Sequence, residues 1–573
     1  MKNLLKNLWK ILSFKRKKQA IFLLIFSIIT SGFEVLTVGS IFNLLSLITK
    51  TNFQNENEIS DSFNFFASGS SSENIFFIFI IFLIVACLCR VILLWSMLRF
   101  SHIVGSDMGV IMFTKTLKQP LEFYFKTTTS EIISSLTKKI HILSLEIVHP
   151  IILVLSNIII IIGVLGVLLF EIGFKVLLVF GLFVLLFYFF WKMTKSRISK
   201  NSKFISENSD LLIKSISETL SAIKLISMKQ IYSLFTNQFD KTNRKLKFAE
   251  GDNVFLSQSI RLWLELIIIL LGTIFCLVSY KMGFLIEIIP ILGGVVFGVY
   301  RVIPLVLKAY SGFSTIMGAK ESFIDILSYL NLEDKDTMAS FQKNINFCER
   351  ITIVDLSYSY PNNKNSSIID INCSIEKNKI TGIIGGTGSG KTTLVSLISG
   401  LLEPSEGDLK IDRQKLNTSN INAWKNIISY VPQETIIIDG SISDNITLAL
   451  GKKIENAKII EALKYTKLDK FIPFIDSKRI MGERGIKISG GERQRIGIAR
   501  AIYDDKEIII LDEPFSALDK KTAEAVLINI KNLNKFTIII VTHDKFVIPF
   551  CDNLITLRNG SLIKNRIKKF KDK

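Results

Sequence analysis

The sequence reads GGTGSGKT at residues 385–392, directly after an apolar run at residues 380–384 and before a helical pattern at residues 393–399. This order predicts a strand, a phosphate-binding loop and a helix. Glycines let successive backbone amides close around phosphate oxygens, Lys391 brings a positive charge to the β- and γ-phosphates, and the Thr392 hydroxyl is a ligand for Mg²⁺. The stretch therefore predicts an α/β P-loop domain that binds a nucleoside triphosphate with Mg²⁺.

A second apolar run, Ile508–Leu511, ends in two adjacent carboxylates, Asp512 and Glu513. A wholly apolar run of this length is typical of a buried parallel strand. At the end of such a strand Asp512 can hold the Mg²⁺ shell, and Glu513 is placed to polarise the attacking water as a general base. Many classes of NTPase share these two features, so they do not identify one class.

A third motif narrows the class of NTPase. Residues 488–492 read ISGGE, which resembles the signature motif of ABC ATPases, commonly written LSGGQ. The serine and the two glycines, Ser489–Gly491, match the residues that contact the γ-phosphate in that family. Ile488 and Glu492 depart from the common wording, and Glu492 adds a negative charge near the nucleotide.

Other motifs of that family follow in order along the chain. Tyr360 matches the aromatic residue that stacks on adenine, and Gln433 matches the Q-loop. Asp519 matches the D-loop, and His543 matches the switch histidine. Met481–Gly485 resembles the short loop that couples the ATPase domain to membrane helices in exporters.

The resemblance implies ATP and Mg²⁺ as cofactors and gives individual residues expected roles. The expected catalytic residues are Glu513, His543 and Gln433, and the expected Mg²⁺ ligands are Thr392, Gln433 and Asp512. The expected ATP-binding residues are Tyr360, Gly385, Gly386, Thr387, Gly388, Ser389, Gly390, Lys391, Thr392, Thr393, Ser489, Gly490, Gly491, Glu492, Asp512 and Asp519.

Polar and apolar residues are segregated along the 573-residue chain, with long apolar runs in about the first 310 residues. A bilayer core requires about 20 apolar residues per helix, because an unpaired backbone amide in lipid is costly. Six segments meet this requirement, at about residues 20–48, 75–98, 150–170, 174–191, 257–280 and 284–308. The predicted fold class is a six-helix membrane domain of the ABC exporter type followed by an α/β P-loop ABC ATPase domain.

Basic residues in the flanks predict the orientation of these spans. The N-terminal arm is rich in Lys, and residues 192–247 carry a further 12 basic residues, so both are expected on the cytosolic side. The expected domains are a basic cytosolic arm at residues 1–18, the membrane domain at 19–315, a linker at 316–350 and the ATP-binding domain at 351–573. Helices at the tips of two long cytosolic connections, near Phe123–Glu131 and Ser221–Gln230, are expected to transmit closure of the ATPase domains.

The formal charge of +20 does not predict a nucleic-acid partner. No basic stripe interleaved with exposed aromatics is present, and the excess Lys and Arg flank apolar spans, where lipid headgroups attract them. The membrane spans also exclude a soluble ABC ATPase of DNA repair or translation. The six cysteines contain no metal-type CxxC pair and are expected as free thiols.

Taken over the whole chain, the sequence resembles the bacterial half-size ABC exporters. Because the signature of one subunit completes the ATP site of another in that family, the resemblance implies a homodimer in the bacterial inner membrane, with the N-terminus and ATPase domain cytosolic. The direction of transport is expected to be export by alternating access.

The expected cargo follows from charged residues inside the spans, which are costly in lipid and mark a pathway or a buried pair. They are Glu34, Arg90, Arg261, Glu265 and Arg301. The short patterns Ser31-x-x-Glu34, Arg261-x-x-Leu264-Glu265 and Tyr300-Arg301-x-x-Pro304 resemble flippases of polyprenyl-diphosphate-linked oligosaccharides in bacterial protein N-glycosylation. Guanidinium groups also suit a diphosphate. A multidrug or lipid exporter, a peptide exporter and a gated channel stay open as alternatives. Arg261 and Glu265 could simply neutralise each other, and Arg90 and Arg301 could simply snorkel or pair.

Overall fold

The computed structural model describes residues 2–49, 72–172, 175–281, 285–333, 345–361, 366–448, 455–475 and 488–567. The chain forms two compact units. The first unit comprises Met1–Leu117 and Thr127–Glu333, and the second comprises Lys118–Lys126 and Asp334–Lys573. A short segment of the long connection after the second predicted span is thus grouped with the ATPase part of the chain.

Up to residue 330, the described part of the chain consists of helices joined by short links. The helices are α1 (Lys2–Ile11), α2 (Phe14–Thr49), α3 (Ser72–Leu117), α4 (Leu121–Lys126, in the second unit), α5 (Thr129–Ser134), α6 (Ile140–Ile142), α7 (His149–Ile172), α8 (Lys175–Ser221), α9 (Ile223–Lys229), α10 (Tyr232–Lys281), α11 (Leu285–Gly318) and α12 (Lys320–Leu330). Two π-helical segments, Ser135–Lys139 and Leu143–Val148, link α5, α6 and α7.

Each of the six predicted spans coincides with one long helix: α2, α3, α7, α8, α10 and α11. Among the described residues, three segments are long and apolar enough to cross a membrane, at Phe14–Ile41, Phe76–Leu117 and Thr129–Phe170. The pair Tyr300–Gly318 and Lys320–Leu330, bent by 55°, counts as a fourth if the two helices form one span. The structure confirms a helical domain here, while six crossings stay a prediction.

Apolar side chains on the outside of this unit suit a lipid environment. Phe77, Leu88, Val91 and Trp95 of α3 are all exposed. Apolar surface in water costs about 25 cal/mol per Å², so a continuous band of this kind would be unfavourable outside lipid.

The second unit contains two sheets. A four-stranded antiparallel sheet has the order β2-β1-β4-β5, and a six-stranded sheet has the order β10-β9-β3-β8-β7-β6. In the larger sheet only the β9–β10 pair is antiparallel. The strands are β1 (Arg350–Tyr358), β2 (Ile368–Glu376), β3 (Ile380–Gly385), β4 (Glu406–Ile411), β5 (Gln414–Lys415), β6 (Ile428–Val431), β7 (Ile508–Asp512), β8 (Thr537–Thr542), β9 (Asn553–Arg558) and β10 (Ser561–Ile567).

Helices cover both faces of the larger sheet. They are α13 (Lys391–Ile398), α14 (Ile421–Asn426), α15 (Ile442–Thr447), α16 (Asn456–Tyr465), α17 (Gly490–Asp504) and α18 (Lys520–Asn532). Alternate residues of β7 enter opposite cores, Ile509 and Leu511 on one face and Ile508 and Ile510 on the other. This explains why the strand is apolar from Ile508 to Leu511.

The parallel strands bring several predicted site residues to one edge of the sheet. Strands β3, β6, β7 and β8 all end at this edge, because they run in the same direction. The P-loop follows β3, Gln433 follows β6, Glu513 follows β7 and His543 follows β8. The edge beyond the carboxyl ends of the strands is where open α/β sheets bind ligands.

Candidate functional site

The P-loop at the end of β3 is held by its own backbone and by Lys391. The Lys391 ammonium donates to the carbonyl oxygens of Gly385 and Gly386 at 3.0 Å each. Gly390 has φ +94, and a Cβ at this position would lie 2.7 Å from the carbonyl oxygen of Ser367. Only glycine fits that backbone and that space. The loop is therefore closely packed at Gly390, and the Lys391 ammonium lies against its backbone.

Glu513 is the centre of the predicted catalytic group. It directly follows β7 with a left-handed backbone, φ 46°, and its N–H donates to the Val541 carbonyl at 2.9 Å. Its Oε2 accepts a hydrogen bond from Gln433 Nε2 at 3.0 Å, and its Oε1 lies 3.3 Å from His543 Nδ1. The structure thus brings the other two predicted catalytic side chains, Gln433 and His543, to the Glu513 carboxylate. A strained backbone at such a position is common at active sites.

Asp512 is buried beside the P-loop helix, and its surroundings fit a Mg²⁺ ion. Its side chain interacts with Thr392 electrostatically, and Tyr430 donates to its Oδ2 at 3.3 Å. Burial raises the pKa of Asp512, and burial together with Asp512 raises the pKa of Tyr430. The Oδ1 atom of Asp512 is buried without a hydrogen-bond partner. A buried carboxylate oxygen of this kind is costly unless something pairs with it, and hydroxyl and carboxylate oxygens are ligands that Mg²⁺ accepts.

The protein would hold Mg²⁺ with few ligands of its own. No group of three His, Cys, Asp or Glu side chains in the described ranges could hold a metal unaided. This agrees with Mg²⁺ chemistry at nucleotide sites, where water and phosphate oxygens supply much of the coordination.

A pocket of about 1010 Å³ lies over the P-loop. Its lining is formed by Ser366, Ser367, Ile369, Thr387, Gly388, Ser389, Gly390, Lys391, Thr392, Thr393, Gln433, Glu513, His543, Asn559 and Gly560. The P-loop and the catalytic group therefore face the same space. Five lining residues were not predicted, namely Ser366, Ser367 and Ile369 at the start of β2 and Asn559 and Gly560 between β9 and β10.

The two-residue turn between β9 and β10 supports the P-loop from outside. Gly560 N donates to the Ser389 carbonyl at 3.2 Å, and the Gly560 carbonyl accepts from Ile369 N at 2.9 Å. An Asn-Gly pair between two apolar runs is a recognisable hairpin signal. The signal predicts the turn, but its place beside the P-loop depends on sheet order.

Tyr360, the predicted adenine-stacking residue, is packed among aromatic rings. Its ring meets Tyr358 at 5.1 Å and Phe125 of α4 at 5.4 Å, both edge to face. Its hydroxyl lies 3.1 Å from Thr393 Oγ1. Tyr360 is not among the lining residues of the pocket described above, and sequence reasoning did not foresee Phe125 as its neighbour.

The signature residues form the start of α17. Ser489 caps this helix: its Oγ accepts from Glu492 N at 3.3 Å, while Glu492 Oε2 accepts from Ser489 N at 2.8 Å. Gly491 lies against the D-loop, since a Cβ there would be 2.9 Å from the Ala517 carbonyl oxygen. Asp519 caps α18 by accepting from Thr522 N at 2.9 Å. None of the signature residues Ser489–Glu492 lines the P-loop pocket of their own chain.

One unpredicted residue links the signature helix to the catalytic strand. Gln494 Nε2 donates to Ser516 Oγ at 2.7 Å, and its Oε1 accepts from Ala517 N at 2.9 Å. Met481–Gly485 lies outside the described residues.

The charged residues of the predicted spans are only partly brought together. Glu34 is fully buried, with its Oε1 2.5 Å from Arg90 Nε and its Oε2 3.5 Å from Arg301 Nη1. These are ion-pair distances without aligned hydrogen bonds, and Arg90 Nη2 is buried without a hydrogen-bond partner. Glu265 lies on the exposed face of α10. The side chain of Arg261 lies outside the described residues.

Comparison with known families agrees with this geometry. The family model "ABC transporter" matches residues 368–516, and the model "ABC transporter transmembrane region" matches residues 20–286. The chain joins the two domains of an ABC transporter. Its helical membrane domain and its α/β ABC ATPase domain are therefore those that the sequence predicted.

Curated relatives of this ABC transporter chain have several stated roles. It is 34% identical to the lactococcin-G-processing and transport ATP-binding protein LagD of Lactococcus lactis subsp. lactis, over 43% of this chain and 35% of that protein. It is 35% identical to the multidrug resistance-like ATP-binding protein MdlA of Buchnera aphidicola subsp. Schizaphis graminum, over 40% of each. The chain spans less than half of the length of the curated relatives it matches, from 18% to 41%.

The fold is shared with a solved exporter. A bacterial Atm1-family ABC exporter with ATP bound superposes with a TM-score of 0.77, covering 96% of this chain and 94% of that one, at 16% identity. The likeness extends over both domains and concerns the fold alone.

Proposed function

We propose that this ABC transporter chain is a half-size exporter that hydrolyses ATP with Mg²⁺ to move an amphipathic substrate across the bacterial inner membrane. The observation that carries the proposal is the Glu513 carboxylate, held between Gln433 and His543 at the edge where the P-loop binds phosphates. A P-loop fused to a helical membrane domain couples that chemistry to transport. Bound Mg²⁺ would neutralise phosphate charge at Thr392 and Asp512.

In the proposed reaction each residue of the chain has one task. Lys391 and the P-loop amides bind the β- and γ-phosphates. Glu513 accepts a hydrogen bond from the attacking water and polarises it, because its carboxylate faces the pocket. Gln433 and His543 hold that carboxylate in place.

We further propose that two copies form the active transporter. The signature residues do not line the pocket of their own chain, so they are available to a second copy. At the tip between α8 and α10, Leu225 is 65% exposed and Met228 is 85% exposed. Such large apolar side chains at the end of a cytosolic extension suit contact with another protein surface.

For the cargo we propose a polyprenyl-diphosphate-linked oligosaccharide or a related glycolipid. Arg90 and Arg301 share one buried carboxylate, Glu34, so two guanidinium groups face one negative charge. An unbalanced positive charge within a membrane domain favours an anionic ligand. Guanidinium also binds phosphate oxygens at two points.

The test is ATP-driven movement of a fluorescent polyprenyl-diphosphate glycan in proteoliposomes. Arg301→Ala and Arg261→Ala should each reduce flipping by about tenfold or more, because a charge-assisted hydrogen bond is worth about 1.5–3 kcal/mol. Arg301→Lys should restore flipping only in part, since it keeps the charge but loses the planar contact. Basal ATPase activity and dimer yield are measured on the same samples.

Two controls separate binding from folding. Arg197→Ala removes an exposed arginine that pairs with Asp252 at 3.2 Å, and it should leave flipping unchanged. The double variant Glu34→Gln with Arg301→Ala removes the buried carboxylate that the single variant leaves behind. Lost flipping with normal dimer yield supports the site, and unchanged flipping in both alanine variants rules it out. Wild-type protein that moves a drug or a peptide but no such lipid overturns the substrate class.

A further inference from the structure

Glu492 places a carboxylate at the signature position where the common wording has a neutral glutamine. The side chain is 11% exposed. Its Oε2 accepts from Ser489 N at 2.8 Å, and its Oε1 pairs with the ammonium of Lys470. The carboxylate is therefore built into the first turn of α17 on one side and tied to a lysine on the other.

Lys470 is held at this position by its own segment. It lies in a short 3₁₀-helix, Asp469–Phe474, with its ammonium 5.3 Å from the ring centre of Phe471. Arg495 fixes the segment to α17, because its Nη1 donates to the Lys467 carbonyl at 2.7 Å and its Nε donates to the Gly491 carbonyl at 3.2 Å. The ammonium is thus aimed at the signature turn by contacts on both sides of the pair.

The Glu492 carboxylate in the signature turn stays ionised, and the Lys470 ammonium compensates its charge. Burial raises the pKa of Glu492, but the bonds from Lys470 and Ser489 outweigh it and hold the pKa below its ordinary value. The ionised group lies three residues from Ser489, which matches the residue that contacts the γ-phosphate. Uncompensated, that charge would repel a triphosphate, because like charges at short range are unfavourable.

We infer that Lys470 is a positioning residue of the ATP site, which neutralises Glu492 and so lets the signature turn approach the γ-phosphate. The inference rests on the proposed function, because the turn meets nucleotide on a second copy. The ion pair of Lys470 and Glu492 then carries no net charge, like the neutral glutamine of the common motif. Lys470 therefore acts by compensating the charge of Glu492, a residue 22 positions away in the sequence.

The experiment is a double-mutant cycle on the full-length protein in proteoliposomes. Lys470→Ala should raise KM for ATP by about threefold to tenfold, the range expected for loss of one typical intramolecular hydrogen bond, because the lysine is largely exposed and does not contact ATP directly. The rise should shrink at high salt, because salt screens exposed charges. Lys470→Arg should restore most of the wild-type KM. In the Glu492→Gln background, Lys470→Ala should cause little further change, since no charge remains to be neutralised.

A second readout and a matched control keep the inference separable from the proposed function. Retention of ATP by the Glu513→Gln protein after rapid gel filtration should fall with Lys470→Ala, and it requires no hydrolysis. Lys458→Ala breaks a lysine–glutamate pair away from the signature turn, with Glu455 at 3.0 Å, and should change neither readout. Equal losses in the Glu492 and Glu492→Gln backgrounds would show a purely structural lysine and overturn the inference, as would an unchanged KM. A wild-type protein without ATPase activity refutes the proposed function, while ATP retention still decides the role of Lys470.

Discussion

At the residue scale, the position of Glu513 decides what chemistry the P-loop domain can perform. Its left-handed backbone turns the side chain from the end of β7 toward the pocket, where Gln433 and His543 meet it. The adjacent Asp512 points into the sheet edge and is 1% exposed. Two neighbouring carboxylates therefore have different surroundings and different expected tasks, metal binding and water activation.

Replacement of Glu513 by Gln should abolish steady-state ATP hydrolysis while ATP binding persists. The change removes the base but leaves the phosphate contacts of Lys391 and the P-loop intact. General-base catalysis contributes about 10²- to 10⁴-fold, so a loss of at least about 100-fold is expected in phosphate release. Glu434→Gln changes an exposed carboxylate next to Gln433 and should keep the wild-type rate. Hydrolysis at the wild-type rate in the Glu513 variant would place the base elsewhere.

Single residues were predictable where a motif and a strand end coincide. Gln433, Glu513 and His543 each follow a parallel strand of one sheet, so their meeting follows from topology. Phe125 beside Tyr360 had no comparable signal, since the two rings lie far apart in the sequence and in no shared motif. The role of Lys470 was also not predicted, because an exposed lysine outside any motif leaves no signal in the sequence.

At the element scale, the hairpin of β9 and β10 acts as an outer support for the phosphate loop. Its turn residues Asn559 and Gly560 have φ of 50° and 79°, the backbone of a two-residue hairpin turn. The Gly560 peptide group bridges the P-loop and the start of β2 through the hydrogen bonds to Ser389 and Ile369. A terminal hairpin therefore contributes to the nucleotide pocket.

Substitution of Gly560 by Ala should weaken both ATP binding and the ATPase domain. The new Cβ would lie 2.8 Å from the Ser367 carbonyl oxygen, and the positive φ is unfavourable for alanine. A cost of about 1–3 kcal/mol is expected, which corresponds to several degrees in the unfolding temperature of this domain. Thermal unfolding and ATP affinity are measured together. Gly251→Ala places the same methyl group in open space. A loss of similar size there would contradict the role of the β9–β10 hairpin as a support for the P-loop.

Whole elements differed in how far the sequence could predict them. Strands β3, β7 and β8 are largely apolar because both of their faces are buried, and this leaves a clear signal in the sequence. The π-helical segment Ser135–Lys139 left no such signal in the sequence. Its Lys139 ammonium is buried between Asp210 at 3.1 Å and Asp325 at 3.0 Å, which lie 71 and 186 positions along the chain. Local propensity cannot encode partners at that separation.

At the scale of the whole molecule, the order of domains was readable and the assembly and cargo were not. Motifs predicted the ATPase domain and long apolar runs predicted a helical membrane domain, because both signals are local in the sequence. The number of crossings depends on how each helix meets lipid, and the cargo depends on a few side chains such as Glu34 and its arginines. Those contacts are set by packing between helices distant in sequence.

The composite ATP site gives the last prediction, which concerns two copies of the chain. The signature turn touches the D-loop through Gly491 and Ala517 but does not line the pocket of its own chain. If a second copy completes the site, Ala517 of one copy must approach the P-loop of the other when ATP draws them together. Thr387 and Ala517 are both exposed, so Thr387→Cys and Ala517→Cys in a background without the natural cysteines should form a disulfide between subunits. The cross-linked dimer should appear on a non-reducing gel, increase with ATP and Mg²⁺, and increase further with Glu513→Gln, which holds the closed state. Mixing two differently tagged proteins, each with one of the two cysteines, should give only the mixed dimer. A disulfide confined to single chains, or one unaffected by ATP, would contradict a site shared between copies.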